Sequence, residues 1–133
     1  MSWEIDLEQW RSALVDAFHW GDQERARTLV AALREAQPRR VQGVLEQMLQ
    51  SPDGKVRKAA AFGLGELGGP ANARRLEQQL LLEESRGGYD ASSVVQVVTQ
   101  ALGQLKSARS RATLVRRLNR LATGAPEGPM WMT

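Results

Sequence analysis

Two segments of the chain repeat each other at a distance of 38 residues. Residues 56–67 read VRKAAAFGLGEL and residues 94–105 read VVQVVTQALGQL, and both end in Leu-Gly-x-Leu. In both segments the apolar residues recur at the three- and four-residue spacing of one helix face. A helical unit of this length cannot bury its apolar face alone, so the repeat predicts a solenoid in which successive units stack on each other.

Glycines occupy three positions inside these helical segments: Gly63, Gly65 and Gly103. A glycine within a helix costs roughly 1 kcal/mol of stability relative to alanine. Gly65 and Gly103 are equivalent in the repeat, and both lie opposite the apolar face of their helix. We therefore expect a neighbouring helix to approach the backbone closely at both positions.

Turn-forming residues divide the rest of the chain into helix-sized segments, for example Ser-Pro-Asp-Gly at 51–54 and Gly-Gly-Pro at 68–70. The apolar spacing between these turns is helical throughout. The sequence predicts an all-α, helical-hairpin solenoid of about seven helices, in one domain over residues 1–123 with a C-terminal tail at 124–133. The domain divides into an N-terminal helical pair at 3–36 and repeats at 39–122. The predicted helices lie near residues 3–19, 22–36, 39–50, 54–67, 71–84, 91–105 and 108–122.

The segment SPDGKVRKAAAFGLGEL, residues 51–67, resembles the HEAT-repeat family, and within it the short bacterial HEAT-like repeats of the phycobilin-lyase type. The matching features are an aspartate just before the second helix, then Val-Arg, small residues and Leu-Gly-x-Leu. The resemblance implies a HEAT-like solenoid over residues 39–122. It also implies a structural role for Asp53 and Arg57, which tie adjacent repeats together in that family. The second copy departs from the pattern, because Val95 stands in the place of the arginine.

Catalysis has few candidate residues in this sequence. There is no cysteine and one histidine, His19, which excludes cysteine nucleophiles, thiolate metal sites and histidine clusters. Glu83 and Glu84 are adjacent, but neighbours on a helix diverge by about 100° and do not converge on a substrate. We expect both to lie on a solvated face. The sequence therefore predicts a protein that is not an enzyme and holds neither a cofactor nor a metal.

The sequence carries no sign of a membrane or an export signal. Acidic residues in the opening MSWEIDLEQW stand where a signal peptide needs basic ones, and no apolar run approaches membrane-spanning length. We expect a soluble cytoplasmic protein.

One candidate protein-binding strip combines both copies of the repeat. On the first copy, Phe62 lies about 220° around the helix from the apolar face, on the side of Lys58. Phe62 is either an exposed anchor for a partner or a wedge against the helix of an adjacent repeat, and the sequence leaves both open. In the first case it extends a concave, peptide-binding strip on the second copy that consists of Gln96, Thr99 and Gln100.

The segment KSARSRATLVRRLNRL, residues 106–121, has six bases and no acid. Its leucines predict an inner side that faces the core, consisting of Leu114, Leu118 and Leu121. The opposite side carries an electrostatic patch of three arginines, Arg109, Arg116 and Arg120.

This basic patch has three alternative interpretations: an acidic protein surface, the phosphates of a nucleic acid, or plain solvation. The net charge of +3 and the lack of interleaved aromatic residues argue against a dedicated nucleic-acid binder. The acidic first helical pair makes self-association a further alternative. We predict a protein-binding adaptor or scaffold whose partner has an acidic surface, with nucleic-acid binding through residues 106–121 as the alternative.

Overall fold

The computed structural model describes residues 5–122, and these residues form six α-helices and no strand. The helices are α1 (Leu7–His19), α2 (Gln23–Ala36), α3 (Val41–Leu49), α4 (Gly54–Leu67), α5 (Pro70–Arg86) and α6 (Gly88–Ala122). The prediction of an all-α helical solenoid is confirmed. Residues 1–4 and the predicted tail at 124–133 lie outside the described residues.

Aspartates begin three of the helices. Each carboxylate accepts a hydrogen bond from a backbone N–H in the first turn, which no helix carbonyl can reach. The N-caps are Asp6 of α1, bonded to Glu8 at 3.0 Å, Asp22 of α2, bonded to Arg25 at 3.0 Å, and Asp53 of α4, bonded to Lys55 at 2.9 Å. These local signals explain why the predicted starts of α2 and α4 lie within one residue of the observed ones.

Helix α6 is the largest departure from the prediction. The segments predicted as separate helices at 91–105 and 108–122 form one continuous helix of 35 residues. Helices α4 and α5 instead end at glycines of positive φ, Gly68 (+72°) and Gly87 (+67°). The residues at 106 and 107 are lysine and serine, which do not end a helix, so the chain continues along the same axis.

Helix α4 lies at the centre of the molecule. It packs against α1, α2, α3, α5 and α6, and most of its residues are buried. A helix that is covered on all sides carries small and apolar residues around its whole circumference. The Ala-Ala-Ala-Phe-Gly-Leu-Gly run at 59–65 of α4 has this composition.

Two glycines inside α4, Gly63 and Gly65, allow close helix packing. A Cβ atom on Gly65 would lie 2.8 Å from the Cβ of Ala101 in α6, which is closer than two carbon atoms approach without a shift of backbone. A Cβ on Gly63 would lie 2.7 Å from a methyl group of Leu45 in α3. The predicted close neighbour at Gly65 is therefore confirmed. The equivalent prediction for Gly103 is wrong, since nothing in the described structure lies within 4 Å of a Cβ built there.

Candidate protein-binding surface

Phe62 lies inside the molecule. It is 8% exposed, and its ring centroid is 5.1 Å from that of Phe18 in α1. The interpretation of Phe62 as an exposed anchor is therefore wrong, and the residue is the wedge between helices that the sequence left as the alternative. The physical reason is that α1 covers the side of α4 that the helical pattern assigns to solvent.

The other residues of the predicted strip lie on two different helices. Lys58 is half-buried on α4, whereas Gln96, Thr99 and Gln100 are exposed on α6. Because Phe62 is covered, the five residues do not form one continuous binding strip. The three polar residues of α6 lie instead on its exposed side.

Arg57 joins the α3–α4 hairpin to the α5–α6 hairpin. Its buried guanidinium donates to both carboxylate oxygens of Glu83 in α5, with Nε 3.0 Å from Oε2 and Nη2 3.0 Å from Oε1. Its Nη1 donates to the backbone carbonyls of Ser51 and Pro52 at 3.0 and 2.9 Å. This bidentate geometry compensates for the removal of two charges from water.

Glu83 is fully buried, so the expectation that it belongs to a solvated pair with Glu84 is wrong. Besides Arg57, it accepts a hydrogen bond of 2.6 Å from the side-chain amide of Gln79. Glu84 is exposed, as expected. Asp53, the other residue that the resemblance singles out, caps its own helix, and it is Arg57 that reaches the next hairpin.

The C-terminal half of α6 carries an exposed apolar stripe. Every described side chain from residue 106 to residue 122 is exposed, and four of these side chains are large and apolar. The stripe consists of Leu114 (56% exposed), Val115 (54%), Leu118 (55%) and Leu121 (60%). The prediction that these leucines face the core is wrong, because α6 continues past the helices on which it packs.

The three leucines of the apolar stripe lie on the side of α6 that faces away from α4. Ala101 points at α4, and Gly103 lies about 200° further around the helix. Leu114 follows Gly103 after 11 residues, close to three turns, and Leu121 follows Leu114 after 7 residues, close to two turns. We call this side the outer face of α6; its residues are Gln96, Thr99, Gly103, Leu114, Leu118 and Leu121.

Two open grooves run beside α6 near Gly103. One, of about 980 Å³, separates α6 from the ends of α2 and α4, and Gly65, Gly103 and Arg111 line part of it. The other, of about 770 Å³, separates α6 from the start of α5, and Leu105, Lys106 and Arg109 line part of it. Acidic and hydroxyl side chains also line these grooves: Glu66 and Ser107 in the first, and Glu77 in the second.

Positive charge flanks the leucines of the apolar stripe and also covers the opposite side of α6. Six bases and no acid occur in residues 106–122, and all six are exposed. They are Lys106, Arg109, Arg111, Arg116, Arg117 and Arg120. Apolar side chains bordered by charges of one sign are typical of a surface that a partner of opposite charge covers.

Sequence reasoning missed the outer face of α6, although one signal for it was present. Neither glycine nor proline occurs between Leu102 and Leu121 apart from Gly103, so nothing turns the last segment back onto the core. A helix that continues without a turn has no element left to pack on. Its apolar residues are therefore expected to stay exposed.

Neither a cluster of possible metal ligands nor a membrane-spanning helix occurs among the described residues. Between residues 5 and 122, no group of three or more His, Cys, Asp or Glu side chains is placed to hold a metal ion. Over the same range, no helix combines the length and the apolar character that crossing a bilayer requires.

Comparison with known protein families gives one match. The model of HEAT repeats matches residues 10–89, which span α1 to α5 and the first residues of α6. The match extends over the first helical pair, which the sequence pattern had left outside the repeats, and it does not address the narrower resemblance to phycobilin-lyase-type repeats. No curated protein and no solved structure matched this chain. Because the matched residues make up more than half of the sequence and the fold is a solenoid of helical pairs, the chain belongs to the HEAT-repeat family.

Proposed function

We propose that this protein is a non-catalytic adaptor or scaffold that binds another protein through the outer face of α6. The leucines of the apolar stripe carry the proposal: three large apolar side chains, each more than half exposed, on one helix that extends beyond the core. Contiguous exposed apolar residues of this kind mark interaction sites in soluble proteins. HEAT repeats generally mediate interactions between proteins, and this supports the same conclusion.

The surroundings of the apolar stripe favour a protein partner over a small molecule. The stripe stands on a convex helix surface, whereas small-molecule sites are concave and bury most of their ligand. Three exposed bases, Lys106, Arg111 and Arg117, flank its leucines, much as polar residues border the apolar centre of a protein interface. The bases also favour a partner with an acidic surface.

Affinity capture from an extract of the source cells tests this proposal. The immobilised wild-type chain is compared with Leu118→Gln, which removes the centre of the apolar stripe without adding charge. Leu81→Gln is the matched control, because Leu81 is 67% exposed but lies on α5. We expect a protein that wild type and Leu81→Gln retain and that Leu118→Gln loses. All three chains should melt alike, since neither leucine is buried. Equal capture by Leu118→Gln would contradict the proposal.

Nucleic-acid binding is the second candidate function, and the six exposed bases of residues 106–122 favour it. Phosphate contacts would give a gel shift with generic DNA or RNA at about 50 mM salt that declines steeply as salt is added. Replacing Arg109, Arg116 and Arg120 with glutamate should abolish such a shift. We expect no shift at low micromolar protein, because the stripe between the bases is aliphatic and lacks aromatic residues for stacking on bases.

A further inference from the structure

We infer that the partner of the outer face of α6 is an acidic amphipathic α-helix, and that it packs parallel to α6 as α6 packs parallel to α4. The inference rests on the proposed function and names the class of partner. Two independent observations carry it: the unoccupied position at Gly103 in the internal repeat, and the charge of the helix around the apolar stripe.

The packing of α6 on α4 supplies the template. Two glycines of α4 and the glycine that caps its end approach α6 in the same order along both helices, which shows that the helices run parallel. A Cβ on Gly54 would lie 3.1 Å from the Cβ of Asp90, one on Gly65 2.8 Å from Ala101, and one on Gly68 3.5 Å from Leu105. The closest of these approaches, at Gly65, depends on a glycine in one helix and an alanine in the other.

The internal repeat places the glycine of this contact on α6 as well, but without a neighbouring helix. Gly103 occupies the position of Gly65 in the Leu-Gly-x-Leu ending, 38 residues later. A Cβ at Gly103 would meet no atom of the described structure. The place on α6 that corresponds to the α6-binding place on α4 is therefore open. A parallel helix with a small residue opposite Gly103 fits this place. Nothing else in the described residues accounts for a glycine at this position, because Gly103 has an ordinary helical φ and lies within a helix that alanine would stabilise.

The leucines of the apolar stripe lie further along the same side of α6, toward its C-terminal end. From Gly103 to Leu121 the helix advances about 27 Å, at about 1.5 Å per residue. A partner helix of about 21 residues spans this distance and can bury its own apolar face against Leu114, Leu118 and Leu121. This length is ordinary for an amphipathic helix.

Charge selects among the possible helices. The exposed bases and the lack of acid in residues 106–122 disfavour a second α6, because a homotypic pair would bring together two strongly basic helices. Helix α5 of a second copy is a weaker candidate: it exposes Leu81 and Leu82 near Glu77 and Glu84, but Arg74 and Arg86 cancel their charge. An acidic helix of another protein satisfies both the apolar stripe and the bases.

Two synthetic 21-residue helical peptides test the inference against the full chain. In both peptides leucine or alanine recurs at alternating spacings of three and four residues, which places these residues on one helix face. The remaining positions are glutamate in one peptide and lysine in the other. Binding is measured by fluorescence anisotropy. We expect the glutamate peptide to bind at least about tenfold more tightly than the lysine peptide, because attraction and repulsion then act on the same apolar contact.

Variants of the chain separate helix packing from general attraction to bases. Gly103→Gln should weaken binding of the glutamate peptide by about tenfold or more, since a side chain there prevents close approach. Gly43→Gln is the matched control, because Gly43 is also an exposed helical glycine with nothing within 4 Å of a built Cβ. It should bind the peptide as wild type does. Leu118→Gln should weaken binding as Gly103→Gln does.

Three results would overturn the inference. The first is equal binding of the two peptides, or no binding of the glutamate peptide. The second is undiminished binding by Gly103→Gln. The third is a dimer in light scattering that Leu118→Gln dissociates, because the occupant is then a second copy. If one of these results is found but Leu118→Gln still fails to capture the protein that wild type retains from the extract, the inference fails and the proposed function stands. If Leu118→Gln captures that protein as wild type does, the proposed function itself fails.

Discussion

Helices α4 and α6 carry the same sequence unit in two different surroundings. In α4 the unit is covered on every side, with Gly65 against Ala101 of α6 and Phe62 against Phe18 of α1. In α6 only the side toward the core is covered, and the equivalent positions, Gly103 and Gln100, are exposed. The comparison distinguishes the residues that pack within a repeat from the residues that pack against a neighbouring unit.

The differences between the two copies follow from this distinction. The residues that form each copy's own core are apolar in both, for example Leu64 and Leu102. Where α4 has the buried Phe62, α6 has the polar Gln100, because no helix of the described chain covers that side of α6. Gly103 does not follow this rule, since the last unit keeps the glycine of an inner one. That exception is the reason to propose a partner.

The largest expected effect concerns Arg57, whose equivalent in the second copy of the repeat is Val95. We expect Glu83→Ala to lower the free energy of unfolding by about 3–5 kcal/mol, because it leaves the buried guanidinium of Arg57 without its carboxylate. Chemical denaturation measures the change. Replacing both residues, as Arg57→Met with Glu83→Leu, should recover much of the loss, since the desolvation cost of both charges disappears.

A surface ion pair provides the matched control for this prediction. Arg27 and Glu66 lie 2.9 Å apart, but the Arg27 side chain is 51% exposed. Arg27→Ala should therefore change the unfolding free energy by no more than about 1 kcal/mol. If Glu83→Ala costs as little as Arg27→Ala, the pair between the hairpins contributes nothing specific and the distinction between Arg57 and Val95 has no energetic meaning.

The next effect tests the covered glycine. We expect Gly65→Ala to destabilise the protein by about 1–3 kcal/mol, because the new methyl group would lie 2.8 Å from the Cβ of Ala101 and that neighbour cannot rotate away. Thermal and chemical denaturation both report the loss. Moving the methyl group across the contact, as Gly65→Ala with Ala101→Gly, should restore part of the stability. If Gly65→Ala is as stable as wild type, helix packing does not explain this glycine.

The sequence predicted the elements of the fold better than their surroundings. Asp22, Asp53 and the glycines at 68 and 69 act locally, so the helix ends near them could be located from the sequence alone. The repeat identified stacked helices because the same apolar spacing recurs. It did not identify α4 as central, since a helical pattern gives the direction of an apolar face and not the number of helices around it.

The candidate site was predicted only in part. The bases of residues 106–121 were identified because charge on a helix can be read from the sequence. The exposure of Leu114, Leu118 and Leu121 was not, since an apolar face on a helix ordinarily indicates burial. Whether such a face is covered depends on the tertiary path of the chain, in this case on the absence of a turn after Leu105 within α6. Glu83 was misjudged for the same reason, because its partner is 26 residues away.

The smallest expected effect concerns the open glycine. Gly103→Ala should stabilise the isolated protein by about 1 kcal/mol, because alanine is the better helix former and its methyl group meets nothing in the described structure. Gly43→Ala should give a similar gain, measured in the same melts. In binding the two variants should differ: Gly103→Ala should weaken attachment of the glutamate peptide while Gly43→Ala leaves it unchanged, since a methyl group at Gly103 obstructs a helix that approaches as closely as α6 approaches Gly65. A loss of stability in Gly103→Ala that grows with protein concentration would instead show that a second copy covers this position. A gain in stability without any loss of binding would mean that the last glycine of the repeat serves no partner.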